Sequence, residues 1–165
     1  MALINGRIMR QLERSGLHFG LEFFRFVWMA LFNDRIARAA WVFDEHRDAH
    51  GYWYIAGKKR AAAHAAIARH QIDTVLLVSL STRLGTVRDK TIAHIDRLSA
   101  IDPKAVWRKA GITHRELQVG LMSVRRVVGD IFRLHQGHNF EVPEYDAKDA
   151  RAILDAAKRD GVIKG

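Results

Sequence analysis

The residue types best suited to chemistry in this chain lie in Val87-Arg88-Asp89-Lys90-Thr91-Ile92-Ala93-His94-Ile95-Asp96. A neutral imidazole titrates near about 6.5, so His94 is suited to taking or giving a proton at neutral pH. Arginine stays charged and presents a planar fork of donors, which suits the extra negative charge of a phosphorane. Arg88 and His94 are therefore the candidate catalytic residues. Asp89 is a candidate to orient Arg88 or hold the local backbone, Lys90 to touch phosphate, and Asp96 to fix the histidine tautomer. A structural role is the alternative for the same string: a histidine on a half-apolar face with its ring nitrogens satisfied, and Arg88 paired with Asp89 or Asp96.

Basic and aromatic residues meet again where Tyr52-Trp53-Tyr54 is followed by Lys58-Lys59-Arg60. Lys58, Lys59 and Arg60 are candidates for RNA phosphates beside rings that stack bases, the alternative being an aromatic loop packed on its own core. His46 and His50 stand four apart, a spacing that puts two imidazoles on one helical face for zinc or nickel, but no third ligand is visible. His135 and His138 flank Gly137 and read as a helix end, where cations favour the dipole. The chain has no cysteine, which excludes thiolate metal sites, disulfides and cysteine nucleophiles. No Walker sequence, dinucleotide fingerprint or serine nucleophile elbow appears, and neither a metal nor another cofactor is expected.

The string Arg88-Asp89-Lys90-x-x-Ala93-His94-x-Asp96 resembles the signature of the HEPN superfamily (higher eukaryotes and prokaryotes nucleotide-binding). It is most similar to the HEPN-like domains of the abortive-infection U group, which belong to phage defence. The resemblance extends over the helical bundle around the string, about residues 20–137. It implies a metal-independent endoribonuclease, a toxin or phage-defence effector, whose active site forms in a cleft between two protomers. His94 would then take the 2'-hydroxyl proton or protonate the leaving 5'-oxygen, and Arg88 would meet the phosphorane. A 2',3'-cyclic phosphate would result, and DNA would not be cut. A cognate antitoxin of the nucleotidyltransferase kind is a further partner that the resemblance implies.

Six positions along a straight helix rotate a side chain by roughly 240°, so Arg88 and His94 do not share a face. Leu80, Val87 and His94 are spaced by seven, which keeps His94 near an apolar stripe with Arg88 at its edge. Two antiparallel copies about a twofold axis would bring two arginines and two histidines into one basic cleft. A homodimer is therefore expected.

The elements that must position these residues read as helices. The expected fold is all-α: an antiparallel helical bundle of four principal helices with a short additional terminal helix, in a single domain over residues 1–165. Its core spans about 17–137, and the appended helix about 146–160. A first arm, Ala2 to Arg14, puts Leu3, Ile4, Ile8 and Leu12 on one face. A long run from about Leu17 to Asp48 carries Phe24, Trp28, Ile36 and Phe43, and a loop is expected between Ala49 and Arg60. A third run, Ala61 to about Leu98, has its stripe through Ile72, Leu76, Leu80, Leu84 and Val87, and Asp102-Pro103 ends it or its tail. Thr113-His114-Arg115-Glu116 is a capping box that starts a fourth helix with Leu117, Leu121, Val124, Val128 and Ile131 on its seam. Close helix contact is the expected reason for Gly120 and Gly129. Ile153, Leu154 and Ala157 are expected to face inward in the last helix.

Twenty-seven Lys and Arg against eighteen Asp and Glu leave a net charge of +9, enough to attract polyanions at long range. The amino terminus lacks the apolar core of a signal peptide. The greasiest stretch, Leu21 to Phe32, is too short for a bilayer, which needs about 20 apolar residues. A soluble, cytoplasmic protein without membrane contact is expected. The rival to the ribonuclease reading is a non-catalytic helical module that binds RNA or a protein partner; a structural dimerisation bundle is the third.

Overall fold

A computed structural model of the chain describes residues 1–16, 22–90, 103–139 and 148–159. The described residues form eight α-helices and one 3-10 turn, with no strand among them, so the protein is an all-α helical bundle. The helices are α1 (Ala2–Ser15), α2 (Glu22–Val42), α3 (Tyr52–Lys58), α4 (Arg60–Arg69), α5 (Thr74–Arg88), α6 (Pro103–Ala110), α7 (His114–Gln136) and α8 (Lys148–Arg159). The chain packs as two units, Met1–Ile36 with Pro143–Gly165, and Ala37–Val142. Helix α2 runs through the boundary between them.

In the first unit α1 buries Ala2, Asn5, Gly6, Met9 and Leu12, a face rotated from the expected one; Leu3, Ile4 and Ile8 are half-buried. Polar contacts turn the helix. Asn5 Nδ2 donates to Asp34 at 2.6 Å, and the Arg35 guanidinium lies over Gly6 so closely that a Cβ there would stand 2.8 Å from its Cζ. Arg35 is 1% exposed, and burial, reinforced by Arg10 and opposed by Glu13, pushes its pKa down. Ile153, expected to face inward on α8, is 57% exposed, while Ala157 is half-buried and the side chain of Leu154 lies outside the described residues.

The second unit is built around α7, against which α3, α4 and α5 pack. The capping box forms as the sequence predicts: Glu116 N–H donates to Thr113 Oγ1 at 3.0 Å, and Thr113 N–H to Glu116 Oε2 at 2.7 Å. Leu117, Leu121, Val124 and Ile131 are buried, but Val127 is fully buried where Val128 is only half so. The helix stops at Gly137, whose φ of 74° is the left-handed conformation that favours glycine. Arg83 of α5 braces the start of α7, donating to the Gly111 carbonyl at 2.9 Å and to Glu116 at 3.2 Å.

Four boundaries differ from the sequence expectation, the first being that α2 ends at Val42 and not near Asp48. The third run is two helices, because Gln71 takes a φ of 50° and Asp73 caps a new start by accepting from Leu76 N–H at 3.0 Å. The expected loop of residues 49–60 contains α3, fixed by Tyr52, which is 3% exposed, and by Trp53, whose Nε1 donates to Ser81 at 3.2 Å. Tertiary anchoring outweighs the weak helical pattern there. Pro103 opens α6, as its missing N–H allows at a first helical position.

The two α7 glycines differ. A Cβ on Gly120 would come within 2.4 Å of Leu80 Cδ1 and 3.1 Å of Phe43 Cζ, so close packing does explain that glycine. At Gly129 nothing lies within 4 Å, and the expected close contact is absent. Gly120→Ala should therefore destabilise by about 1–3 kcal/mol through overpacking, while Gly129→Ala should stabilise by about 0.5–1 kcal/mol through helix propensity; thermal melts of both variants check the opposite signs. The Thr113 N–H, then the Thr113 hydroxyl, then Arg83 hold the Glu116 carboxyl below the ordinary glutamate value. A carboxylate whose folded pKa is depressed contributes stability above its unfolded pKa and loses it as pH falls through the folded one. Glu116→Gln should lower the melting temperature at neutral pH and flatten its decline in acid, as melts across the carboxylate range would measure.

Candidate functional site

Arg88 ends α5, one residue after Val87 turns into the core at 3% exposure. Its guanidinium is gripped from two sides. Nη1 donates to Asp44 Oδ2, and Nε donates to Asp89 Oδ1 at 2.9 Å. Asp44 comes from the turn after α2, forty-four positions away, and its other oxygen accepts from His46 N–H at 3.0 Å. The hydrogen bond to Asp89 and the charges of Asp44 and Asp89 raise the Arg88 pKa against the opposing effect of burial, so the group stays a cation. Asp89 and Lys90, directly after α5, lie in a π-type turn. Lys90 is exposed beside it. His94 and Asp96 lie outside the described residues. The expected Asp89 contact to Arg88 is present, and Asp44 is the partner that sequence spacing alone did not reveal.

The basic run Lys58-Lys59-Arg60 forms the joint between α3 and α4. Lys58 and Lys59 line an open groove of about 560 Å³ between α3 and α7; Arg60 is exposed outside its lining. Ile55, Val128 and Ile131 make its apolar floor, Tyr54 and Phe132 supply rings, and His135 and Gln136 stand at the end of α7. The Lys58 ammonium lies 5.6 Å from the centre of the Tyr54 ring, so one charge and one π face occupy the same side. Of the three aromatic residues expected near phosphate, only Tyr54 lines the groove; Tyr52 is buried and Trp53 is tied to Ser81. Burial raises the Tyr52 pKa.

His46 and His50 do not share a helix. Helix α2 stops at Val42, and the two rings bracket the 3-10 turn Arg47–Ala49, His46 Nδ1 accepting from Asp48 N–H at 3.4 Å. No cluster of three or more potential metal-ligating side chains gathers among the described residues. His138 sets its ring edge-on to Phe132 at 5.3 Å, just past the end of α7.

One constellation was not anticipated. Asp130 of α7, 8% exposed, accepts from Arg69 at 2.7 Å, from Arg133 at 2.9 Å, and lies 3.1 Å from His70 Nε2. The sequence holds one clue, an Asp and an Arg three apart on a helix; the Arg69-His70 pair arrives from sixty positions away only by folding. This hub clamps the end of α4 to α7.

No helix among the described residues is long and apolar enough to cross a membrane. No family model, no curated protein and no solved structure matches the chain. Asp130→Ala removes the shared acceptor of His70 and of two arginines that are themselves more than half exposed and so screened by water; it should lower stability by about 1–2 kcal/mol, read as an earlier denaturation midpoint with an unchanged slope.

Proposed function

We propose that this protein is a metal-independent endoribonuclease of the HEPN type, a homodimeric cytoplasmic toxin or phage-defence effector with a nucleotidyltransferase-type antitoxin as its partner. The observation that carries the reading is the string Arg88-Asp89-Lys90-x-x-Ala93-His94, with its arginine held in a fixed direction at the end of α5. The net charge of +9 supports a polyanionic substrate. His94 takes the 2'-hydroxyl proton, the 2'-oxygen attacks phosphorus, and the 5'-oxygen leaves with a proton from the paired site, giving a 2',3'-cyclic phosphate and a 5'-hydroxyl. Arg88 meets the phosphorane by exchanging a carboxylate contact for a phosphoryl oxygen. Asp89, 55% exposed and screened by water, is the contact that yields, while Asp44, 16% exposed, keeps the fork oriented.

The same two carboxylates favour a second reading, in which Arg88 is a structural tie and the chain binds RNA without cutting it. Total RNA incubated with the purified protein in chelator separates the two. The enzyme reading expects fragments with cyclic phosphate ends, lost in a folded His94→Ala variant and mostly lost in Arg88→Lys, which keeps the charge but not the planar fork. Intact RNA with the wild-type chain, or wild-type turnover in Arg88→Lys, overturns the phosphorane clamp.

A further inference from the structure

We propose that the groove between α3 and α7 holds one unpaired nucleotide of a single-stranded RNA, its base against Tyr54 and Phe132 and its flanking phosphates on Lys58 and Lys59. The substrate class rests on the RNA reading above, but the site is a different one, since Arg88 and Asp89 are not in its lining.

Size and chemistry converge on this ligand. A volume of about 560 Å³ lies within the range of small-ligand sites, roughly 300–1,000 Å³. The floor is apolar and the rings are flat, which suits the face of a base rather than a hydrated sugar. Every charged side chain in the lining is basic, and no carboxylate lines it, so the groove selects an anion. Lys58 and Lys59 make no ion pair with any described residue, whereas Arg88 is bound to two carboxylates and Arg69 and Arg133 share one. The Lys58 ammonium lies over the Tyr54 ring, 5.6 Å from its centre, so a cation and an aromatic surface stand together in the lining, and a base stacking on that face would draw the ammonium aside toward its phosphate. At the rim the Gln136 amide both donates and accepts, as the edge of a base requires. A paired base already has its faces covered and its edge engaged, so the groove takes an unpaired one.

The test uses the full chain and a fluorescent single-stranded deoxyoligonucleotide, which lacks the 2'-hydroxyl and so reports binding whether or not the protein cuts RNA. Tyr54→Ala should weaken binding by about fivefold to a hundredfold, the range for loss of one stacked base, and Tyr54→Phe should restore it. Lys58→Ala with Lys59→Ala, both at exposed positions, should reduce the salt slope by about 1.4, at about 0.7 per phosphate contact. Equal affinity for a duplex, displacement of the probe by polyglutamate as readily as by RNA, or wild-type affinity and slope in the lysine double variant would each overturn the site. If the lysine variant binds normally while the wild type cuts RNA, this inference alone fails. If the groove variants lose binding and no RNA is ever cut, the catalytic reading alone fails.

Discussion

One buried hydroxyl fixes the geometry on which both candidate sites of the second unit depend. Ser81 Oγ donates to the Phe43 carbonyl at 2.5 Å and accepts from Trp53 Nε1 at 3.2 Å. The end of α2 leaves carbonyls without helical partners, and a buried one without a donor is costly. Satisfying Phe43 from α5 places the next residue, Asp44, where it meets Arg88 of the same helix. Holding Trp53 orients α3, and with it Tyr54 and Lys58. The reversal between them is tight: a Cβ on Gly51 would stand 2.9 Å from the carbonyl oxygens of both Trp41 and Val42, so backbone passes backbone without room for a side chain.

Helix α7 is the other organiser, because it serves three environments at once. Leu117, Gly120, Val124 and Val127 face the core. Val128, Phe132 and His135 recur at spacings of four and three and border the groove, while Asp130 and Arg133 occupy the opposite side and anchor α4. A helix with only one apolar stripe would have produced a wall of the bundle; the extra ring and histidine are what make a concavity against α3. The closeness that Gly120 allows to Leu80 and Phe43 sets how deeply α5 and the end of α2 approach α7.

Much of this was legible in the sequence, and the boundary of legibility is physical. Period and capping showed the helices, since a capping box and a left-handed glycine act over a few residues, and Thr113, Glu116 and Gly137 behave as such signals do. The Asp73 cap that divides the third run was equally local, but it was hidden by the continuous apolar stripe on either side. Helix α3 was not legible, because Gly51, Gly57 and the aromatic run argue for a loop and only burial of Tyr52 and the Ser81 bond decide otherwise. Lys58 and Lys59 could be nominated from composition, yet their groove depends on Phe132 and His135, more than seventy positions on. Asp44 and Asp130 were invisible for the same reason: a carboxylate partner supplied from a distant segment leaves no spacing to read.

Net charge and local charge make different demands on a basic protein. A net charge of +9 favours polyanions at long range, but the field at any one point of the surface depends on which cations already have partners. At Arg88 two carboxylates face one guanidinium, so the immediate field is not attractive to phosphate until a contact is exchanged. At Asp130 two arginines and a histidine share one carboxylate turned inward, and their first task is to hold helices together. The lysines of the groove carry no such obligation among the described residues. On the proposed reading, capture would fall to Lys58 and Lys59, which form no ion pair among the described residues, before the Arg88 fork engages. Asp44 and Asp89 keep the arginine aligned and its charge masked, and on that reading a phosphate would have to come close enough to compete for it.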